Sequence, residues 1–444
     1  MRLLVVGGGG REHALCWTLR RENPEAHIYC APGNPGTAEL ASNLPIPSDD
    51  LDRLADAADM HGIDLTIIGP EAPLARGLAD RLRAEGRLVF GPSAAAAQLE
   101  SSKAFAKEVM VAAGVPTAVS QSFTDLAAAL GYIDRHPEPL VVKASGLAGG
   151  KGAVVCTTRA EARKAVRAML EADQFGPAGR TIVIEAFLEG EEISVLALTN
   201  GRDIELLPVA QDHKRLLEGD RGPNTGGMGA YSPVALATPA LLERVKREVL
   251  SPTLEQMQRQ ETPFSGVLYA GLMIDPDGTT SVVEFNCRLG DPEAQVVLPL
   301  VSGGLTESLL RVAEGKAPSS LEISRQAAVT TVLASRGYPD APQTGAAIML
   351  PERHADGVTV FHAGTTRGQD GVLRASGGRV LTVTAVAASF SEAQRLSREA
   401  AAEIRFVGKI FRGDIGWREA ATRAQRSPAS APPRKERSRS PDRL

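Results

Sequence analysis

Residues 139–155 read Pro-Leu-Val-Val-Lys-Ala-Ser-Gly-Leu-Ala-Gly-Gly-Lys-Gly-Ala-Val-Val. A short apolar strand leads to Lys143, a glycine-rich loop carries Lys151, and a second apolar strand returns. Glycines let backbone N–H groups close on an anion and lysines add positive charge, so the stretch predicts a phosphate-binding hairpin. It is not a P-loop, in which a Ser or Thr and then a helix follow the lysine, whereas Gly152 and a strand follow Lys151 here. A flexible surface hairpin with incidental lysines is the alternative.

The first 95 residues alternate apolar runs with helical patterns over 12–21 and 74–85, which predicts a parallel βαβ sheet. Glycine-rich segments follow several of the predicted strands, at the edge where such sheets bind ligands. A dinucleotide fingerprint would place its third glycine at Glu12, so NAD binding is not expected. The helix that follows Gly10 remains a candidate anion site at its N-terminus.

Two later stretches have residue types suited to nucleotide chemistry. Residues 181–195 predict a strand, a short connector and a second strand; the connector's backbone suits an adenine edge and Glu192 suits ribose hydroxyls, although an ordinary hairpin fits as well. In residues 281–293, strand alternation puts Glu284, Asn286 and Arg288 on one face. A carboxylate beside a carboxamide suits Mg²⁺, and the arginine suits a transferring phosphoryl group.

Residues 211–215 and 222–233 form a further polar pair of segments that flank a glycine cluster. Together they are long enough to wrap a small anionic ligand, and a mobile surface loop is the alternative. His213 lies in the first segment, and a single histidine supports no catalytic role by itself.

The composition limits the class of protein. At 444 residues the chain should hold two to four domains. No apolar stretch approaches the roughly 18 residues that span a bilayer, and residues 1–6 predict a buried strand rather than a signal peptide. Four cysteines without metal or disulfide spacing indicate buried apolar residues in a reducing cytoplasm. From Thr422 onward the sequence is basic and rich in Arg, Ser and Pro, which predicts disorder.

Several motifs in a fixed order resemble the glycinamide ribonucleotide synthetase family of the ATP-grasp superfamily, over residues 1 to about 418. The residues that carry the resemblance are Gly9-Gly10-Arg11-Glu12-His13-Ala14-Leu15, Ala31-Pro32-Gly33-Asn34-Pro35-Gly36-Thr37, Gln98-Leu99-Glu100-Ser101-Ser102-Lys103, Asp212-His213-Lys214-Arg215, Gly222 through Pro233, Glu284 through Glu293, and Phe411 through Gly416.

The resemblance implies an α/β architecture in four parts. An N-terminal parallel βαβ substrate domain would cover residues 1–100, and an ATP-grasp domain would cover 101–327, with a small mobile lid at about 116–190. A C-terminal α/β domain would cover 328–421, and a disordered basic tail 422–444. We expect a cytoplasmic monomer with no membrane or nucleic-acid partner, and weak contact of the tail with polyanions is the alternative.

The resemblance also implies a ligase of purine biosynthesis. ATP, with Mg²⁺ or Mn²⁺, would phosphorylate glycine, and the amine of 5-phosphoribosylamine would then attack glycyl phosphate to give glycinamide ribonucleotide. The implied catalytic residues are Arg288, Lys143 and Asp291. The implied ATP-binding residues are Lys103, Lys143, Gly149, Gly150, Lys151, Glu185, Leu188 and Glu192. The implied metal ligands are Glu284 and Asn286. The implied substrate-binding residues are Gly9, Gly10, Asn34, Asp212, Lys214, Thr225, Gly226, Gly227 and Asp291.

Two other functions compete with this prediction. An ATP-grasp ligase that uses bicarbonate or formate is one, and the Asp212–Arg215 and Asn224–Pro233 motifs argue against it. A nucleotide-binding regulatory module is the other. The set of Glu284, Asn286 and Arg288 argues against that reading, because sensing a nucleotide does not require an arginine that neutralises a phosphoryl group.

Overall fold

The first hundred residues form a five-stranded parallel sheet with flanking helices, as the sequence predicts. A computed structural model describes residues 1–426 of the chain. The sheet has the strand order β3-β2-β1-β4-β5. Its strands are β1 (Arg2–Gly7), β2 (His27–Pro32), β3 (Ser42–Asn43), β4 (Leu65–Ile68) and β5 (Val89–Phe90). The helices are α1 (Gly10–Glu22), α2 (Leu51–Met60), α3 (Glu71–Ala75), α4 (Leu78–Ala84) and α5 (Gln98–Ser101).

The single helix predicted over residues 74–85 is wrong, because the segment is divided between α3 and α4. Gly77 interrupts it with a φ of 84°, in the left-handed region that glycine adopts without the steric cost of a Cβ. The break turns the chain just after α3, whose first residue, Glu71, lines the cleft described below.

A small antiparallel sheet carries the glycine-rich hairpin and has its own apolar core. Helix α6 (Lys103–Ala113) leads into it, and Ser102 caps that helix by accepting a hydrogen bond from the Phe105 N–H. The strand order is β6-β9-β7-β8, with two helices on one side. The elements are β6 (Ser120–Phe123), α7 (Leu126–Arg135), β7 (Leu140–Ala144), β8 (Ala153–Cys156), α8 (Arg159–Leu170) and β9 (Ile182–Ala186).

The central part is built around a four-stranded antiparallel sheet in the order β11-β10-β16-β17. Helices α6 and α10 pack together and bury its largest apolar core. The strands of this part are β10 (Glu191–Thr199), β11 (Ile204–Leu206), β12 (Gln211–Asp212), β13 (Arg215–Leu217), β14 (Arg221–Asn224), β15 (Gly229–Ser232), β16 (Gly266–Ile274), β17 (Thr280–Asn286), β18 (Val301–Gly303) and β19 (Glu322–Ile323). The helices are α9 (Pro239–Val245), α10 (Ser251–Arg259), α11 (Ala294–Leu300) and α12 (Leu305–Ala313), with a π-helical turn over Lys246–Leu250.

The last sheet joins the central part to the C-terminal part. Its path is β12-β15-β20-β24-β21, so strand β15 pairs with β20 across the predicted boundary at residue 328. The C-terminal elements are β20 (Ala327–Ser335), β21 (Val358–His362), β22 (Thr365–Arg367), β23 (Leu373–Ala375), β24 (Arg379–Ala387), α13 (Phe390–Glu403), β25 (Lys409–Ile410) and α14 (Trp417–Arg426). The shared sheet fixes β15, and the loops that precede it, to the C-terminal part.

Helix α14 corrects the predicted start of the disordered tail. The helix continues to Arg426, so residues 422–426 are helical rather than disordered. The rest of the predicted tail lies outside the described residues. Within residues 1–426, no helix has the length and apolar character that crossing a membrane requires. All four cysteines are buried and free, as predicted.

A buried histidine pair joins α1 to the C-terminal sheet. His13 Nδ1 accepts a hydrogen bond from the backbone N–H of His362 at 2.8 Å, and the two rings lie 5.7 Å apart. Burial and, to a lesser extent, the neighbouring His362 together lower the pKa of His13 to about 3. Burial likewise lowers the pKa of His362 to about 4, with Arg367 adding to the effect. Both rings are therefore neutral in the folded protein.

We expect the pair to make stability depend on pH. The unfolded chain protonates each histidine below about pH 6.5, whereas the folded protein does not protonate them until about pH 4 and pH 3. Stability is therefore highest above pH 6.5 and falls as the pH drops below it, by about 1.4 kcal/mol per pH unit for each histidine. Urea unfolding of wild type and H13Q at several pH values between about 7.5 and 5.5 measures this slope.

The expected result is a shallower slope for H13Q than for wild type. H27Q, which removes an exposed histidine, is the matched control and should keep the wild-type slope. Equal slopes for wild type and H13Q would show that the pair does not cause the pH dependence.

Candidate active site

One large cleft collects most of the predicted site residues. It encloses about 520 Å³, a size typical of small-molecule sites, and its walls come from all four sheet-bearing parts of the fold. The predicted residues that line it are Lys103, Lys143, Gly149, Gly150, Glu185, Leu188, Glu192, Asp212, Lys214, Thr225, Gly226, Glu284, Asn286, Arg288 and Asp291. The cleft therefore brings together residues that lie far apart in the sequence.

Two lysines converge on a buried carboxylate in this cleft. Lys103 begins α6, and Lys143, near the end of β7, donates a hydrogen bond to the Val283 carbonyl at 3.1 Å. Burial opposes the ionisation of Glu284, but Lys214, Lys103 and Lys143 outweigh it and hold the pKa of Glu284 below its ordinary value. Burial lowers the pKa of Lys103, and the neighbouring Glu284 opposes that shift. The site is thus positively charged on one side and holds an ionised carboxylate on the other.

Lys107 is a cleft residue that the sequence reading missed. Its Nζ donates to Thr117 Oγ1 at 2.7 Å and lies 3.2 Å from Glu185 Oε1. The other oxygen of Glu185 lies 2.8 Å from Lys143 Nζ, so one buried carboxylate holds two lysines. The spacing of four residues from Lys103 on one helix is the signal that could have identified it.

Apolar side chains line the part of the cleft next to the connector after β9. Phe187 and Leu188 belong to that connector, and the neighbouring strands and helix α6 contribute Met110, Val141, Val155, Met273 and Phe285. Sequence reasoning did not identify these residues, since apolar side chains on strands are common in any core. An apolar space beside the backbone of a connector suits a planar heterocycle.

Arg288 lies just beyond the end of β17 but still shares the cleft with Glu284 and Asn286. Its guanidinium lies 2.6 Å from Glu100 Oε1 and 3.3 Å from Glu71 Oε2, and it donates to Asn286 Oδ1 at 3.3 Å. Burial opposes the charge of Arg288, but Glu100 and Glu71 raise its pKa above the ordinary value. The arginine is therefore charged and held in one orientation by residues that the sequence reading did not assign.

Asp212 and Lys214 form a second group of paired charges. Lys214 Nζ lies 3.0 Å from Asp212 Oδ1 and 3.0 Å from Glu192 Oε1. Although burial opposes its charge, these two carboxylates raise the pKa of Lys214 well above its ordinary value. His213 is fully buried and its Nε2 accepts a hydrogen bond from the Gly416 N–H at 2.9 Å, which is a structural role.

The loop over Thr225–Gly227 is held beside Asp291. The Gly226 N–H donates to Tyr338 Oη at 2.9 Å, and the Thr225 N–H donates to the Lys214 carbonyl. Gly227 faces away from the cleft, because a Cβ there would lie 2.4 Å from Pro292 Cδ. Thus Gly227 allows close packing and does not line the cleft.

Asn34, Gly9, Gly10 and Lys151 are also not among the lining residues. Both polar atoms of the Asn34 side chain are used inside the protein: Nδ2 donates to the Gly8 and His362 carbonyls, and Oδ1 accepts from the Gly36 and Thr37 N–H groups. Lys151 Nζ donates to the Pro339 carbonyl at 2.7 Å.

The predicted anion site at the N-terminus of α1 is occupied by the protein itself. Glu12 Oε2 accepts a hydrogen bond from the Gly9 N–H at 2.7 Å, so a carboxylate of the helix caps its own first turn. Gly69 leaves room for this side chain, since a Cβ there would lie 2.2 Å from Glu12 Oε1. An external anion could use the Gly9 N–H only by displacing the Glu12 carboxylate.

Behind the cleft, Arg412 fixes the segment that carries Asp212 and Lys214. Its side chain is 1% exposed and pairs with Asp414 at 2.7 Å and Asp220 at 2.9 Å. It also donates to the Arg215 carbonyl at 3.0 Å. The motif over Phe411–Gly416 thus acts as a support and contributes no lining residue to the cleft.

Comparison with known proteins gives a consistent result along the chain. Models of phosphoribosylglycinamide synthetase match in series: the N domain over residues 1–100, the ATP-grasp (A) domain over residues 101–294 and the C domain over residues 328–418. A phosphoribosylamine–glycine ligase of Ralstonia nicotianae is 48% identical over 420 residues, which cover 94% of this chain and 99% of that protein.

Two solved structures share the fold. The crystal structure of phosphoribosylamine–glycine ligase from Thermotoga maritima superposes with a TM-score of 0.82 at 33% identity, covering 94% of this chain and 100% of that chain. The biotin carboxylase domain of the 2-oxoglutarate carboxylase from Hydrogenobacter thermophilus has a TM-score of 0.71 at 19% identity, covering 92% of this chain and 91% of that chain. At 19% identity the likeness shows a common fold alone.

The Arg412 support gives a test of how the cleft is held. We expect R412M to lower the free energy of unfolding by about 2 kcal/mol, because Asp220 and Asp414 lose a buried, charged hydrogen-bond donor. Urea unfolding at neutral pH measures the change. R395K alters an exposed arginine on α13 that pairs with Glu392 and Glu399, and should change stability by less than about 0.5 kcal/mol. Similar changes in the two variants would show that the Arg412 network adds little.

Proposed function

The chain belongs to the phosphoribosylglycinamide synthetase family, and from that premise we propose how its cleft carries out the ATP-dependent ligation of glycine to 5-phosphoribosylamine. The products are glycinamide ribonucleotide, ADP and phosphate, and the intermediate is glycyl phosphate. The observation that carries the proposal is the convergence of Lys103, Lys143, Glu284 and Arg288 in one cleft with the substrate-side residues Asp212 and Lys214.

In the nucleotide half, Lys103 and Lys143 would contact the phosphates of ATP, and the loop with Gly149 and Gly150 would close over them. Lys151 would join this loop's contacts only by leaving the Pro339 carbonyl. The connector over Glu185–Leu188 would hold adenine between apolar side chains, and Glu192 would accept hydrogen bonds from the ribose. The buried lysines are already positioned, so little reorganisation is needed when the nucleotide binds.

Glu284 and Asn286 would hold Mg²⁺ or Mn²⁺, and their donor set fits such an ion. Both offer oxygen atoms to the cleft, and the carboxylate is kept ionised by nearby cations. Within residues 1–426 no three His, Cys, Asp or Glu residues gather as a metal site, so phosphate oxygens and water would complete the coordination shell, as is usual for Mg²⁺. When bound, the ion would neutralise charge on the transferring phosphoryl group.

The first step activates glycine. A carboxylate oxygen of glycine attacks the γ-phosphorus of ATP, an O–P bond forms, and the bond to the ADP oxygen breaks. A free carboxylate is a poor acyl donor, and phosphorylation supplies a good leaving group. Arg288, fixed by Glu100 and Glu71, would stabilise charge on the transferring group, so the protein's contribution is positioning and charge neutralisation.

The second step forms the amide. The amine of 5-phosphoribosylamine attacks the carbonyl carbon of glycyl phosphate, phosphate leaves with the C–O bond electrons, and the nitrogen loses a proton. Asp291 would orient the reacting amine, and Asp212, Lys214, Thr225 and Gly226 would surround the two substrates, with Gly227 allowing their loop to pack against Pro292. Gly9, Gly10 and Asn34 would meet the 5′-phosphate or ribose of phosphoribosylamine. For Gly9 this is supported by its place beside Asp291, since a Cβ there would lie 3.5 Å from Asp291 Oδ2.

The domain limits also belong to the proposal. A substrate domain would cover residues 1–100, an ATP-grasp domain 101–327 and a C-terminal domain 328–421. The separate core of the sheet over Ser120–Ala186 supports movement of residues 116–190 as a lid. The enzyme would act as a monomer in the cytoplasm.

A substrate panel tests the reaction. We expect ADP release from ATP and Mg²⁺ only when glycine and freshly prepared phosphoribosylamine are both present, with glycinamide ribonucleotide as the product by mass spectrometry. Bicarbonate and formate serve as matched acid substrates. ADP release that requires bicarbonate, with none for glycine, would contradict the proposal, and ATP binding without turnover of any acid would indicate a regulatory module instead.

The metal assignment has its own test. We expect E284A to lower kcat by at least about a hundredfold while the fold stays intact, because metal positioning is lost. Steady-state turnover and circular dichroism measure the two effects. E191A removes an exposed glutamate on the nearby strand β10 and should behave as wild type. Near-normal activity of E284A at ordinary Mg²⁺ would refute the assignment.

A further inference from the structure

Arg379 reaches the cleft from the C-terminal sheet. It is the first residue of β24, and its guanidinium contacts the substrate-side loop and the Asp291 segment. One terminal nitrogen, Nη1, donates to the Gly226 carbonyl and, at 2.6 Å, to the Asp291 carbonyl. The same nitrogen lies 3.4 Å from Asp291 Oδ1. A residue outside every sequence motif therefore joins two segments of the proposed substrate site.

The other edge of this guanidinium is open. Within residues 1–426, Nε and Nη2 of Arg379 donate to no protein acceptor, and 22% of the side chain remains exposed. Lys214 and Arg288, by contrast, each lie within 3.3 Å of two carboxylates. Arg379, which lines the cleft, thus keeps two donor atoms unpaired in the described part of the chain, whereas Lys214 and Arg288 are held by carboxylates.

Arg379 is positively charged, and the neighbouring Asp291 carboxylate does not pair with its Nε or Nη2. Burial opposes ionisation, but Asp291 outweighs it and raises the pKa of Arg379 above the ordinary value. Asp291 Oδ1, its nearest carboxylate atom, also accepts a hydrogen bond from Gln295 Nε2 at 2.8 Å. A planar guanidinium with two adjacent free N–H directions fits a carboxylate or phosphate in a bidentate manner.

We propose that Arg379 binds an oxyanion of a substrate through its Nε and Nη2 edge, so that the C-terminal sheet completes the substrate site. This inference rests on the proposed function, in which both substrates other than ATP carry an oxyanion. Glycine offers its carboxylate, and phosphoribosylamine offers its 5′-phosphate. The shared chemistry is a planar or tetrahedral oxyanion that accepts two parallel hydrogen bonds beside Asp291.

A tether is the competing role, since Arg379 also holds the Gly226 carbonyl. Tyr338 provides the matched control, because its hydroxyl accepts a hydrogen bond from the Gly226 N–H at 2.9 Å. Tyr338→Phe therefore removes a tether of the same residue without removing a cation. If the position of the Gly226 loop matters, substitutions at Tyr338 and at Arg379 should both weaken substrate binding. If Arg379 binds an oxyanion, only the substitution at Arg379 should weaken it.

The experiment measures kcat and the separate KM values for ATP, glycine and phosphoribosylamine in wild type, R379Q, R379K and Y338F. We expect R379Q to raise the KM for glycine or phosphoribosylamine at least about tenfold, because the variant loses a charged, hydrogen-bonded contact with the oxyanion. We expect the KM for ATP to stay within about twofold and Y338F to stay within about threefold of wild type. The substrate with the larger rise identifies the oxyanion.

Two results would overturn the inference. One is a KM for glycine and phosphoribosylamine in R379Q that stays within about threefold of wild type. The other is an equal loss in R379Q and Y338F, which would make Arg379 a tether. R379K keeps the charge if R379Q fails to fold, and should recover part of the affinity through a single hydrogen bond. Wild-type turnover in the same assay distinguishes failure of this inference from failure of the proposed function. If the wild-type enzyme does not turn over, the proposed function is rejected; if only the variant results disagree, the role of Arg379 is rejected.

Discussion

Charge balance inside the cleft is the constraint on which the rest of the site depends. Moving a lysine or arginine out of water is costly unless a carboxylate compensates for it. Lys143 is paired with Glu185 and Lys214 with Glu192, while Arg288 is paired with carboxylates of the first hundred residues. Because the cations are ordered before a ligand arrives, an entering triphosphate would meet a prearranged field rather than mobile side chains.

The geometry of the cleft also depends on contacts between the four parts of the fold. The cleft's cations come from α6, the glycine-rich hairpin and the central segments, whereas several of their carboxylate partners come from other parts. Strand β15 pairs with β20, so the segments around Asp212 and Gly226 are fixed to the C-terminal sheet. The histidine pair between α1 and β21 ties the first sheet to that same sheet. Local packing in one part therefore sets charge positions in another.

Local patterns in the sequence predicted the fold class, and most of the site residues that the family resemblance implies line the cleft. Apolar runs that end in glycine indicate parallel strands, and strand alternation relates Glu284 to Asn286 on β17, whereas Arg288 lies beyond the end of that strand. Lys107 and Arg379 were missed for different reasons. Lys107 follows Lys103 by one helical turn, so a local signal was present, whereas only tertiary contacts bring Arg379 to the cleft. No pattern within a few residues of Arg379 distinguishes it from other strand arginines.

Two predicted ligand contacts involve positions whose polar groups are already hydrogen-bonded inside the protein. The glycines before α1 resemble an anion site, but Glu12 supplies the anion from the helix itself. Asn34 follows a strand where ligands often bind, but its amide holds the surrounding loop together. Sequence spacing indicates that a polar group is present and does not indicate whether the protein has already used it. Whether a polar group already has a partner within the protein depends on its hydrogen bonds in the folded structure.

The segment from Asn286 to Asp291 connects the two halves of the reaction. Arg288 near its start is held by carboxylates from the first hundred residues, and Asp291 at its end is held by Arg379 from the last sheet. These six residues thus span the distance from the proposed metal ligands to the proposed amine site, with both ends fixed by charged contacts. Such a short, clamped segment would set where phosphoryl transfer occurs relative to amide formation. A shift of either flanking part would move one reaction centre against the other, so correct docking of both parts is a condition for coupling the two steps.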